Sequence, residues 1–152
     1  MLFDNYKDAM YTVVYRILRD EELACDALQE GFIQVFTGLI YYRFDASLGS
    51  WIKTIMVRSA LRILKKEPLK DDIEMDAVND MIQWDTNLTG ETLDKTIAQL
   101  SPGYRSVFLL IEVEGYSHQE VAEMLNISEG TSKSQLSRAK KILQERLKDL
   151  ID

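Results

Sequence analysis

Cysteine and histidine are almost absent from this 152-residue chain. Cys25 stands alone, so no internal disulfide can form, and with only His118 beside it no Cys/His zinc cluster can be assembled. Two prolines and seven glycines are too few for a turn-rich β-protein, and the long stretches without either favour helices. No apolar run approaches the ~20 residues of a membrane span. The opening Met1–Lys7 has neither the basic start nor the apolar core of a signal peptide, so the expected compartment is the cytoplasm. A phosphate-binding Gly-rich loop is also missing, which removes nucleotide hydrolysis from the readings. No metal, cofactor or catalytic constellation is expected, and the chain reads as a binding protein rather than an enzyme.

An excess of positive charge is lacking too. The net charge is −7, which argues against nucleic-acid binding until the charges are placed along the chain. Residues 67–95 hold nine acids against two lysines, so this segment carries the whole imbalance. On its N-terminal side, residues 46–66 carry five bases (Lys53, Arg58, Arg62, Lys65, Lys66) and no acid. On the other side, residues 131–141 carry four (Lys133, Arg138, Lys140, Lys141) and no acid. Two basic patches thus flank an acidic connector.

Apolar residues at spacings of three and four make residues 3–40 two helices broken near Asp20, with Phe32, Val35, Phe36 and Leu39 on the apolar side of the second. A loop with Asp45, Ser47 and Gly49 follows, and Ser50 is placed to cap a helix from Trp51 to about Lys66, ended by Pro68. The acid-rich stretch 68–90 reads as an extended linker. Helicity resumes near Thr92. Ser101-Pro102 is a start signal, Gly115 a stop, and Ser117-His118-Gln119-Glu120 a capping box with His118 on its exposed side. Asn126-Ile127 makes a turn, and Ser128 caps a long final helix. A short helix, a turn and a longer helix form the arrangement whose second helix fits the major groove. On the final helix Leu136, Ala139, Ile142, Leu143 and Leu147 fall within one arc of roughly 140°, and Lys133, Ser134, Ser137, Arg138, Lys140 and Lys141 fall opposite. Arg, Lys and Ser are suited to base edges and phosphates.

The segments Leu100-Ser101-Pro102-Gly103-Tyr104-Arg105, Gly115-Tyr116-Ser117-His118-Gln119-Glu120-Val121-Ala122 and Ser128-Glu129-Gly130-Thr131-Ser132-Lys133-Ser134-Gln135-Leu136-Ser137-Arg138-Ala139 resemble region 4 of the extracytoplasmic-function sigma factors of bacterial RNA polymerase. The resemblance implies that this part reads a minus-thirty-five promoter element, with Lys133, Ser134, Ser137 and Arg138 at bases and Thr131 and Lys141 at phosphates. Ser132 stands where the family usually has Val, a departure that touches packing more than readout.

Upstream, Asp20 to Phe36 is similar to the family's region 2 segment that docks on the coiled coil of the polymerase β′ subunit, and Asp26, Gln29, Glu30 and Gln34 are its implied contacts. Phe44 to Lys66 resembles the part that melts and reads the minus-ten element. Trp51, Lys53, Arg58, Ser59, Arg62 and Lys65 are the implied contacts, an aromatic among cations as single-stranded DNA requires. The loop 43–50 would rim a pocket for an extruded base. Ser59 occupies a position where the family commonly has Asn.

The expectation is therefore an all-α protein of two small helical domains: a three-helix sigma region 2 over 1–66, an acidic linker over 67–91, and a helix-turn-helix sigma region 4 over 92–152. Its partners would be core RNA polymerase, promoter DNA and, as a candidate, an anti-sigma factor. Two alternatives stay open on the residues alone. One is a free-standing helix-turn-helix regulator that binds duplex DNA as a dimer; the other is a decoy for core or for an anti-sigma partner, which the mild departures at Ser59 and Ser132 do not support.

Overall fold

A computed structural model describes residues 2–66 and 90–151, so the expectations placed on the acidic stretch 67–89 lie outside the described residues. The chain divides into two compact units, Met1–Pro68 and Leu69–Asp152. Among the described residues every regular element is helical, and no helix is long and apolar enough to cross a membrane.

The first unit is three helices packed on one another. Helix α1 (Leu2–Leu18) buries Met10, Val13, Val14, Ile17 and Leu18, the three-and-four spacing of one stripe. It stops where Arg19 turns left-handed (φ 52°) and lays its guanidinium 4.9 Å from the Tyr15 ring centre. Asp20 then caps α2 (Glu21–Gly38), its extended backbone letting the carboxylate accept the Leu23 N–H at 3.0 Å. A 3₁₀ turn, Leu39–Tyr41, continues from α2.

Helix α3 (Leu48–Lys66) begins three residues before the expected start, because Ser47 and not Ser50 is its cap. The Ser47 hydroxyl accepts the Ser50 N–H at 3.2 Å and its carbonyl accepts the Trp51 N–H at 2.9 Å. Helices α2 and α3 cross closely at Gly31, where an added Cβ would collide with the Met56 sulfur. One turn away the Ser59 hydroxyl donates to the Ala27 carbonyl at 2.9 Å. Ile17, Val14, Val35, Ile52, Met56 and Val57 are fully buried between the three helices. Each such side chain is worth about 1.5–3 kcal/mol, so packing rather than any cap, at about 1 kcal/mol, holds this unit together.

The second unit strings shorter helices along a long one. Helix α4 (Gly90–Ala98) leads to α5 (Pro102–Phe108), and a π-helical turn, Leu109–Val113, extends α5. Pro102 sits at the first position of α5 as expected, but the Ser101 hydroxyl makes no capping bond, and its backbone carbonyl takes the Arg105 N–H at 2.8 Å instead. Arg105 is buried and donates to the Ala98 and Leu100 carbonyls at 3.3 and 3.1 Å, which satisfies the open end of α4. Gly115, at φ 81°, ends the α5 segment in a conformation that excludes most side chains. Helix α6 (His118–Leu125) and helix α7 (Glu129–Ile151) follow, separated by left-handed Asn126. Leu136, Ala139 and Leu143 bury the apolar stripe of α7 within the unit.

Candidate nucleic-acid interface

Three local devices set the two helices in register, one at the start of α6, one at the turn and one at the start of α7. Ser117 accepts the Glu120 N–H and the Glu120 carboxylate accepts the Ser117 N–H, both at 3.1 Å, so the expected capping box is complete. Asn126 takes the left-handed turn (φ 56°) that reverses the chain. Ser128 accepts the Thr131 N–H at 3.0 Å and donates its own proton to the Thr131 hydroxyl at 2.8 Å. These fix where α7 begins and therefore which residues sit in its first two turns.

Lys133, Ser134, Ser137, Arg138, Lys140 and Lys141 are all exposed, but they do not share one side: Ser134, Ser137, Arg138 and Lys141 lie away from Leu136, Ala139 and Leu143, whereas Lys140 and Lys133 lie only about 40° and 60° around the helix from Leu136. Their surroundings differ. Lys133 pairs with Glu129 at 3.6 Å one turn back, and Lys140 is tied to Glu112 of the π-helical turn at 2.7 Å. Arg138 and Lys141 pair with no carboxylate among the described residues, so their charges are not offset by an ion pair there. Ser134 donates to the Thr131 carbonyl at 3.1 Å, which leaves its oxygen able to accept. Thr131 is half-buried and its hydroxyl is bound to Ser128.

In the first unit Arg58, Arg62 and Lys65 share the exposed face of α3, and Trp51 begins that face half-buried. Trp51 rests on Gly38, 3.5 Å from where its Cβ would be, and on the Tyr42 ring, 5.0 Å between centres. Tyr42 also touches Phe44 at 4.5 Å and donates its phenol proton to the Ala46 carbonyl. This aromatic trio organises the loop before α3, and Phe44 is held at φ 62° with 82% of its surface exposed. Phe44 entered the sequence expectations only as part of the 43–50 rim and Tyr42 not at all, because helical spacing says nothing about which side chains of a loop meet.

One sequence expectation fails on this helix, and another lies apart from its cationic face. Ser59 is fully buried and its hydroxyl is spent on Ala27, so it cannot touch DNA. Helical geometry explains this: Ser59 lies roughly 100° around α3 from Arg58 and within about 20° of buried Ile52. Lys53 is half-buried and roughly 140° from Arg58, so the structure does not bring it to the Arg58–Arg62–Lys65 face.

The expected polymerase contacts divide in the same way. Asp26 and Gln29 are exposed on the outer side of α2, whereas Gln34 is half-buried. Glu30 is exposed but faces α3, where it takes the Arg62 guanidinium at 3.0 Å, so a residue of one expected set holds a residue of the other. The outer side of α2 contains more than the expected stripe. Ile33 (65% exposed) and Phe36 (52% exposed) lie there with Asp26 and Gln29, within roughly 100° of arc, and Ile40, Tyr41 and Phe44 are exposed just beyond. Phe36 and Leu39 were expected on the buried stripe, and both are exposed. Angular position carries the signal: Phe36 is about 140° from the centre of the buried Ala24–Ala27–Gly31–Val35 arc, and Ile33 is about opposite it.

Two family models match the chain, Sigma-70 region 2 over residues 2–68 and Sigma-70 region 4 over residues 90–143. The chain belongs to the sigma-70 family. Its relatives place it among the extracytoplasmic-function sigma factors. It is 28% identical to the ECF RNA polymerase sigma factor SigW of Bacillus subtilis over 98% of this chain and 88% of that one. It is 26% identical to SigM of Mycobacterium tuberculosis, over 91% and 71% of the two chains. Among solved structures it is similar in fold to the sigma factor RpoE of Bartonella quintana, bound there to the anti-sigma factor NepR. The TM-score is 0.64 at 20% identity, covering 96% of this sigma factor and 94% of that chain. It is also similar to CnrH in complex with the cytosolic domain of CnrY, with a TM-score of 0.58 at 18% identity over 97% and 86% of the two chains.

Proposed function

We propose that this sigma factor binds core RNA polymerase through the outer side of α2 and directs initiation by reading two promoter elements, one with each unit. The observation that carries the reading is the polar outer face of α7, with unpaired Arg138 and Lys141, on a chain whose other unit matches region 2. Arg138, Lys133, Ser134 and Ser137 read base edges of the minus-thirty-five element, and Thr131 and Lys141 anchor its phosphates. In the first unit Arg58, Arg62 and Lys65 follow the phosphates of the opened minus-ten strand, and Trp51 with the exposed Phe44 offers rings on which unstacked bases lie.

Ile33 and Phe36 join Asp26 and Gln29 as the polymerase surface, because an apolar centre beside charged neighbours is what a protein partner covers. Such a strip is costly to leave in water and is poorly suited to a polyanion. The chain works in the cytoplasm, carries no chemistry of its own, and has an anti-sigma factor among its partners, as the sigma factor RpoE of similar fold does. With only a few phosphate contacts on each unit, affinity for free DNA is weak and salt-sensitive, and specificity emerges when core holds both units on one promoter. A free-standing dimeric regulator would need no region 2, and the match over residues 2–68 favours the sigma reading.

Run-off transcription with purified core polymerase on a promoter library tests this directly. The chain is expected to redirect initiation to promoters that share two elements, and unchanged initiation with and without it would overturn the proposal.

A further inference from the structure

The departure at Ser132 has a partner. Ser132 is the fourth residue of α7, fully buried, in the turn preceding the core residue Leu136. Its hydroxyl lies 2.8 Å from Nδ1 of His118, the first residue of α6 and the single histidine of the chain. A buried hydroxyl requires a partner, and no other side chain among the described residues supplies one. His118 is half-buried rather than exposed, and its ring bridges the first turns of the two helices of the helix-turn-helix. The capping box fixes the end of α6 that carries His118, and Ser128 fixes the start of α7. The bridge thus joins two independently anchored helix starts, with Thr131 and Lys133 adjacent to Ser132 in sequence and Ser134 one residue further on.

We infer that the His118–Ser132 hydrogen bond sets the rotation of α7 against α6, making both residues positioning residues for promoter readout without touching DNA. The inference rests on the proposed role of α7 in reading DNA. An apolar side chain at position 132 would fill the same space but slide, because packing contacts lack direction, whereas a hydrogen bond fixes one register. Side chains that read base edges tolerate errors of about 0.5 Å, so a small rotation of α7 misaims Lys133, Ser134 and Ser137 together. The bond exists with neutral His118, where Nδ1 accepts or donates according to tautomer, and with charged His118, where it donates.

The experiment compares the full chain, bound to core polymerase, on promoter fragments with an intact or a scrambled upstream element. Ser132→Ala and His118→Gln are each expected to lower binding to the intact element about tenfold and to leave the scrambled one unchanged. The double variant is expected to be no worse than either single one. His118→Asn, which keeps a hydrogen-bonding atom where Nδ1 stands, is expected to retain most of the preference. Amide hydrogen exchange of the free chain gives a second readout that needs no DNA: residues 129–134 exchange faster in Ser132→Ala and His118→Gln, and at the native rate in His118→Asn. Losses that multiply in the double variant, an Asn variant no better than Gln, or exchange unchanged in all variants would each overturn the inference. If the unaltered chain ignores the upstream element altogether, the promoter reading of α7 fails, and the exchange rates alone then decide whether the bond holds the helix.

Discussion

The two units expose different surfaces. In the first, Phe3, Ile33, Phe36, Ile40, Tyr41 and Phe44 are large, apolar and exposed, mostly along one side of α2 and the turn after it. In the second, only Leu93 and Val113 are comparably exposed among the described residues, and the outward side of α7 is polar and cationic. Water penalises the first surface and solvates the second. The first unit therefore has a face suited to burial against a protein, in addition to its cationic α3 face. The second has a polar, cationic face suited to a negatively charged partner. Three tightly packed helices with a fully buried core tolerate such an exposed strip. The shorter helices of the second unit add polar fixings to their own apolar core, among them the capping box, Arg105 and the Lys140–Glu112 pair.

The largest expected effect breaks the comparison at the first unit. Replacing Ile33 and Phe36 together by Asp places charge on the exposed strip at the cost of one ring contact, that of Phe36 with Phe32. Run-off transcription by the variant is expected to fall to the level of core polymerase alone, with an unchanged circular dichroism spectrum. Next in size, Arg138→Ala is expected to cost about 1–3 kcal/mol of promoter binding and to relax preference at one upstream base pair, read by competition between promoter variants. Ser59→Ala sharpens the correction on α3. It is expected to lower the stability of the first unit by about 0.5–1.5 kcal/mol in urea unfolding, while minus-ten base preference stays as it was. A changed base preference would return Ser59 to the DNA face. The smallest effect belongs to Lys141→Ala, which is expected to weaken all promoters alike and to reduce the slope of log affinity against log salt by about one.

Much of the fold was legible because helices announce themselves through apolar spacing and caps. The break at Asp20, the stop at Gly115, the capping box at Ser117, the turn at Asn126 and the polar outer face of α7 all follow from such local rules. What escaped the reading depends on contacts between elements. Ser47 rather than Ser50 starts α3, because either serine meets the local rule and the geometry of the preceding loop chooses between them. Ser59 is claimed by the Ala27 carbonyl of another helix, and Glu30 by Arg62, at a sequence separation of 32 residues in both cases. Phe36 satisfied the three-and-four rule yet lies outside the buried arc, since the rule fixes spacing and not the width of the face a partner helix covers. Ser132 read as a mild packing change, and its meaning appeared only with His118 beside it.

The measurement that bears most directly on this division of labour is binding of the full chain to core polymerase in the absence of DNA. Three chains are compared: the unaltered one, the Ile33→Asp/Phe36→Asp variant, and one carrying Arg138→Glu with Lys141→Glu. The account predicts that the first-unit variant loses core binding by more than about a hundredfold, beyond about 2.7 kcal/mol. The α7 variant is predicted to bind core as the unaltered chain does and to fail only when promoter is added. Full core binding by the first-unit variant, together with its loss in the α7 variant, would contradict the account.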